Sequence, residues 1–68
     1  MPTISAQFGA NVLAMREAKG MSQEFLAKAA AMDRSYLSRI ENGKMKVSLD
    51  KVYHIASALK CPIHELLP

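Results

Sequence analysis

Residues 23–43 read QEFLAKAAAMDRSYLSRIENG. Leu26, Ala27 and Ala30 recur at helical spacing, and so do Leu37 and Ile40. Ser22 stands where a hydroxyl would accept a bond from a first-turn N–H, and Asp33 stands in the same position eleven residues later. The charge of Asp33 also suits the positive end of the helix that follows it. Asn42-Gly43 is a dipeptide that turns easily. The spacing predicts two short helices, about residues 23–30 and 34–41, separated by Ala31-Met32-Asp33. So short a gap suits a steep crossing better than antiparallel packing. Ala27 falls where the two helices would touch, and its small side chain lets the backbones approach. With Leu26, Ala30, Leu37 and Ile40 turned to a core, the second helix presents Arg34, Ser35, Tyr36, Ser38 and Arg39 outward. All five end in a polar group able to reach a base edge or a phosphate.

The flanking sequence supplies further helices. Ser5 would cap a first helix running to about Lys19, with Phe8, Val12, Met15 and Lys19 on one stripe and Gly20 as its stop. Ser48 would cap a fourth over about residues 49–59, whose Leu49, Val52, Ile55, Ala56 and Leu59 share a face. Pro62 suits the first turn of a last short helix, with Ile63, Leu66 and Leu67 on its apolar side. No strand alternation competes, and no repeat, linker or low-complexity segment intervenes. The expected class is all-α, built from five short helices with tight connections. Sixty-eight residues make one domain at most. Half are apolar and 22% charged, a globular balance. No apolar run reaches the ~18 residues of a membrane span, and the start lacks the pattern of a secretory signal. The single cysteine, Cys61, excludes an intrachain disulfide and a multi-cysteine zinc site, and a reducing cytoplasm is expected.

The net charge of +3 is unevenly placed. Residues 34–51 hold Arg34, Arg39, Lys44, Lys46 and Lys51 against Glu41 and Asp50, and the rest of the chain balances. On charge alone this window is either a solvated surface or a phosphate-facing patch.

Several features together resemble the phage-repressor helix-turn-helix family, the group of lambda repressor and Cro. They are Arg16, the run Ser22-Gln23-Glu24 with Leu26-Ala27, the segment from Ser35 to Ile40, Glu41-Asn42-Gly43-Lys44, and Ile55-Ala56 with Leu59. Within that family, MDRSYLSRIENGK looks most like the controller proteins of restriction–modification systems, where Asp-Arg-Thr-Tyr-Ile-Ser is typical. The resemblance implies a compact five-helix, lambda-repressor-like DNA-binding domain over residues 1–68, with the helix-turn-helix at about residues 23–42. It implies a homodimeric transcriptional regulator on an inverted-repeat operator in double-stranded DNA, able to touch RNA polymerase, with no metal or cofactor. Base contacts are expected from Arg34, Ser35, Tyr36, Ser38 and Arg39, and phosphate contacts from Gln23, Asn42, Lys44 and Lys46. Arg16 and Glu41 resemble the family's buried ion pair. The dimer interface is expected at Ile63, Leu66 and Leu67. Two positions depart from the family: Ala31 stands where the turn usually has Gly, and Val47 where Pro is frequent. Ala31 either adopts a left-handed backbone, which Ala tolerates poorly, or leaves the turn near-helical.

Other readings are weaker. His54 and His64 are expected on different helices without an acid cluster, a poor metal site. Asp50, His54 and Ser57 share one helix with no oxyanion site, so no triad forms. Cys61 reads as a small buried hydrophobe, and Lys46 and Lys51 as charges near the DNA backbone rather than specific contacts. Phe25, where the family usually has a polar residue, leaves open an antitoxin-like or other protein-interaction module on the same fold. A DNA binder without base preference would be expected to carry more charge than +3.

Overall fold

The computed structural model describes residues 3–68; Met1 and Pro2, the first residues of the expected 1–68 domain, lie outside the described residues. Four α-helices follow one another: α1 (Ile4–Ala18), α2 (Gln23–Ala29), α3 (Arg34–Glu41) and α4 (Leu49–Leu59). The expected fifth helix is a single 3-10 turn, Ile63–Glu65. Among the described residues there is no strand. No helix among them is long and apolar enough to cross a membrane.

Local chemistry starts three of the four helices. The hydroxyls of Thr3, Ser22 and Ser48 accept bonds from the N–H groups of Ala6, Phe25 and Lys51 at 3.0, 3.0 and 3.3 Å. Thr3, not Ser5, caps α1, because its extended backbone aims the hydroxyl at the first turn while Ser5 is already helical. Asp33 occupies the N-cap position of α3, yet its carboxylate accepts no capping bond.

All four helices close in the same way. The N–H groups of Gly20 and Met21 donate to Glu17 and Arg16, and those of Ala31 and Met32 to Lys28 and Ala27. Gly43 and Lys44 donate to Ile40 and Arg39, and Lys60 and Cys61 to Ser57 and Ala56. This double bond pattern is the Schellman closure, and it requires one left-handed residue. That residue is Gly20, Ala31, Gly43 or Lys60, with φ of +69°, +57°, +70° and +55°. Of the two alternatives at Ala31, the left-handed one is adopted.

The core joins Phe8 and Val12 of α1, Leu26 and Ala27 of α2 with Ala30, Leu37 and Ile40 of α3, and Val52, Ile55, Ala56 and Leu59 of α4. Leu66 completes it and is fully buried. The expectation that Leu66 lies at an intermolecular surface is thereby corrected: its side chain is spent inside its own domain. The Nδ2 of Asn11 holds the adjoining turn by donating to the Leu66 carbonyl at 3.0 Å. Leu49 is also corrected. It is the first residue of α4, beyond the reach of the core, and remains 73% exposed. Cys61 is half-buried against the core rather than sealed within it.

Helix α3 packs chiefly on α1 and α2. At Gly9 of α1 the backbones nearly touch: a Cβ built there would collide with the Ile40 carbonyl oxygen at the C-terminal end of α3. Gly43 is similarly close to α1, where a Cβ would come within 2.7 Å of the Ala6 Cα. These two contacts set how far α3 stands out from the body.

Candidate nucleic-acid interface

The orientation of α3 is locked by a polar network at its C-terminal end. Arg16 Nε donates to Glu41 Oε2 at 2.7 Å, and its second terminal nitrogen donates to Oε1 at 3.2 Å. The remaining arm of the guanidinium donates to the Met21 carbonyl at 2.8 Å. Gln23 Nε2 donates to Glu41 Oε1 at 2.9 Å. One carboxylate therefore ties together α1, the start of α2 and the end of α3. The Glu41 side chain is only 3% exposed and that of Arg16 12%. Both carboxylate oxygens are satisfied, as a buried charge requires. The hydrogen bond to Glu41 raises the Arg16 pKa above its ordinary value, against the opposing cost of burial. The site's cation is permanent.

With that end fixed, the outer face of α3 is free of the core. Arg34, Ser35 and Arg39 are exposed and Ser38 is half-buried. Tyr36 differs from them. Its ring packs partly against the core, and the Lys51 ammonium of α4 lies 5.6 Å from its centroid. Beyond the C-terminal turn, Asn42, Lys44 and Lys46 are exposed. Gln23 sits at the first position of α2 and is half-buried. An amide nitrogen carries two hydrogens, and one of Gln23's goes to Glu41. The structure thus brings Arg34, Ser35, Ser38 and Arg39 onto one short helix, with Asn42, Lys44 and Lys46 just after it. Arg16 and Glu41 meet beneath that helix, with Gln23 joined to them.

The expected interface residues separate. Ile63 is half-buried and Leu67 is 46% exposed, while Leu66 is internal. Leu67 lines a small apolar cavity with Ile4, Phe8, Val47 and Val52. Exposed Ile4, Leu49 and Tyr53 were not among the expected interface residues. Sequence reasoning also missed Gly9 and the Lys51–Tyr36 contact. A glycine in the middle of a helix, where it costs roughly 0.5–1 kcal/mol relative to Ala, was the available signal for the first. Among the described residues no group of three or more metal-ligating side chains comes together.

Comparison with known proteins agrees with this arrangement. The helix-turn-helix family profile matches residues 12–66. Control protein C.MunI of Mycoplasma sp is 39% identical over 67 residues, covering 97% of this chain and 90% of that protein. Control protein C.BamHI of Bacillus amyloliquefaciens is 43% identical over 61 residues, covering 88% of this chain and 75% of that one. The crystal structure of the restriction–modification controller protein C.AhdI from Aeromonas hydrophila superposes with a TM-score of 0.90 at 40% identity, covering 93% of this chain and 96% of its own. The chain therefore belongs to the helix-turn-helix family of DNA-binding transcription regulators, and control proteins of restriction–modification systems are among its relatives.

Proposed function

We propose that this protein is a sequence-specific regulator that docks as a homodimer on an inverted repeat in double-stranded DNA. The observation that carries the reading is the outer face of α3. Its Arg34, Ser35 and Arg39 are exposed on a helix whose far end is fixed by the Arg16–Glu41–Gln23 network. A helix held this way can enter a major groove with its polar side chains leading. Arg34, in its first turn, grips guanine O6 and N7 with its planar fork. Ser35, Ser38, Arg39 and the Tyr36 hydroxyl read neighbouring base edges. Asn42, Lys44 and Lys46, together with the second amide hydrogen of Gln23, hold phosphates near the C-terminal end of α3.

The dimer reading is supported by apolar surface. Leu67, Ile4, Leu49 and Tyr53 are exposed and Ile63 is half-buried, and a small domain gains stability when a second copy covers such side chains. The body measures 30 × 23 × 21 Å, and half-sites about one helical turn, ~34 Å, apart are what a pair of such helices would read on one face of the duplex. Acting in the cytoplasm, the dimer works by occupancy, blocking polymerase or touching it through exposed acids such as Glu24 of α2. The relatives favour the control of a restriction–modification system as its setting.

The division of labour is tested by two substitutions. Arg34→Ala is expected to relax preference at one base position, at a cost of ~1–3 kcal/mol for the cognate site. Lys44→Ala is expected to weaken all sequences equally and reduce the salt slope by about one. Equal, sequence-independent losses for both would refute the assignment. A second reading, a protein-interaction module, rests on Phe25, which is 60% exposed on α2. It would be favoured if Phe25→Ser abolished a stoichiometric partner while leaving operator binding intact.

A further inference from the structure

We propose that Lys51, which lies outside the helix-turn-helix, is a positioning residue for base reading: it holds the Tyr36 ring and so couples α4 to the recognition helix. The inference rests on the DNA-reading role of α3. Tyr36 is the third residue of α3, within its first turn. Lys51 is the third residue of α4, and its own N–H is capped by Ser48. The contact therefore joins the first turns of two helices, and the backbone beneath Lys51 is itself fixed. The Lys51 ammonium stands 5.6 Å from the Tyr36 ring centroid, within reach of the ring's negative face.

Other features mark this contact as more than a stray surface approach. Lys51 is half-buried, whereas Lys44 and Lys46 of the same basic window are exposed. Tyr36 leans its ring on the core, so Lys51 closes over an already anchored side chain. The two residues also border one depression with Ala31, Met32 and Asp33, the turn that launches α3. A shift of the Tyr36 ring would change the shape of the surface next to Arg34 and Ser35. The helix α3 is locked at its C-terminal end by Glu41; Lys51 restrains a side chain at the opposite, base-reading end.

The test has a DNA-free arm and a DNA-bound arm, both on the full chain. In the free protein, the Hε protons of Lys51 should be displaced upfield in the NMR spectrum by the Tyr36 ring current, and Tyr36→Leu should abolish the displacement. In selection from random duplex DNA, Lys51→Met should lose roughly fivefold of preference. The loss should fall at the base positions that Tyr36→Leu also affects, with an unchanged salt slope. The double variant should lose no more than Tyr36→Leu alone, and Lys51→Arg should restore the preference. A loss uniform over all sequences, with the salt slope reduced by about one, would make Lys51 a phosphate contact and overturn the proposal. An unaltered motif for Lys51→Met, or no ring-current displacement in the wild-type chain, would overturn it equally. If the wild-type chain itself selects no motif, the DNA-reading role fails first and this inference falls with it.

Discussion

Ala31 carries a conformation that its residue type resists. Its φ of +57° places a Cβ in the left-handed region, at a cost of roughly 1–2 kcal/mol. Ala31→Gly removes the clash and returns part of the gain as chain entropy in the unfolded state. The expected net effect is stabilisation by about 0.5–1 kcal/mol, a rise of several degrees in Tm for a domain of this size, checked by thermal and urea unfolding. The opposite sign is expected at Arg16. Arg16→Met strands the Glu41 carboxylate in the interior, where breaking one side of a buried pair costs about 3–5 kcal/mol. Total stability for a chain of this length is of order 3–10 kcal/mol, so this variant should lose a large share of it, read as a markedly lower urea midpoint by circular dichroism. Cys61 adds a pH dependence. Burial, and secondarily Glu65, raise its pKa, so the folded state favours the neutral thiol. The unfolded chain then loses its proton at lower pH, and the contribution of Cys61 to stability falls as pH rises past the ordinary thiol value near ~8.5. Iodoacetamide at that pH should modify the native thiol more slowly than the urea-unfolded one.

At the scale of elements, the caps give a discriminating comparison. Ser22→Ala deletes a 3.0 Å bond to the Phe25 N–H and should cost ~1 kcal/mol. Asp33→Ala deletes no capping bond and should cost only the charge–dipole part, a few tenths of a kcal/mol upward. Urea midpoints for the two variants decide whether this difference holds. The elements were largely legible in the sequence. Helix starts and the apolar faces of α2, α3 and most of α4 follow from spacing and capping residues, which act within a turn or two of chain. Ser22 and Ser48 are read correctly for that reason. What spacing leaves ambiguous is any feature settled by residues distant in sequence. Gly9 matters because Ile40 arrives 31 positions later. Leu66 and Leu67 are neighbours with identical side chains, and tertiary packing alone sends one inward and one outward. The Arg16–Glu41 pair was legible through family resemblance, while the Met21 carbonyl that also accepts from Arg16 has no side-chain signature.

For the whole molecule, Leu66 and Leu67 become a test of assembly. Leu67→Lys alters an exposed side chain and should leave the fold within ~0.5 kcal/mol, yet shift the chain to monomers in sedimentation and weaken operator binding. Leu66→Ala should do the reverse, losing about 2–5 kcal/mol of stability through a core cavity. The residues expected at an interface were the least legible part, because an exposed apolar side chain and a buried one look alike until the fold assigns them. The outer face of α3 was the most legible, since Arg34, Ser35, Ser38 and Arg39 are left outside, with Tyr36 half-buried, once Leu37 and Ile40 face the core.

The central claim is that this domain reads base sequence as a symmetric pair. Selection from a random duplex-DNA pool at near-physiological salt tests it most directly, because low salt inflates binding that ignores sequence. The account predicts recovery of one inverted repeat with half-site centres about one helical turn apart. Recovery of no motif by the folded chain would contradict it.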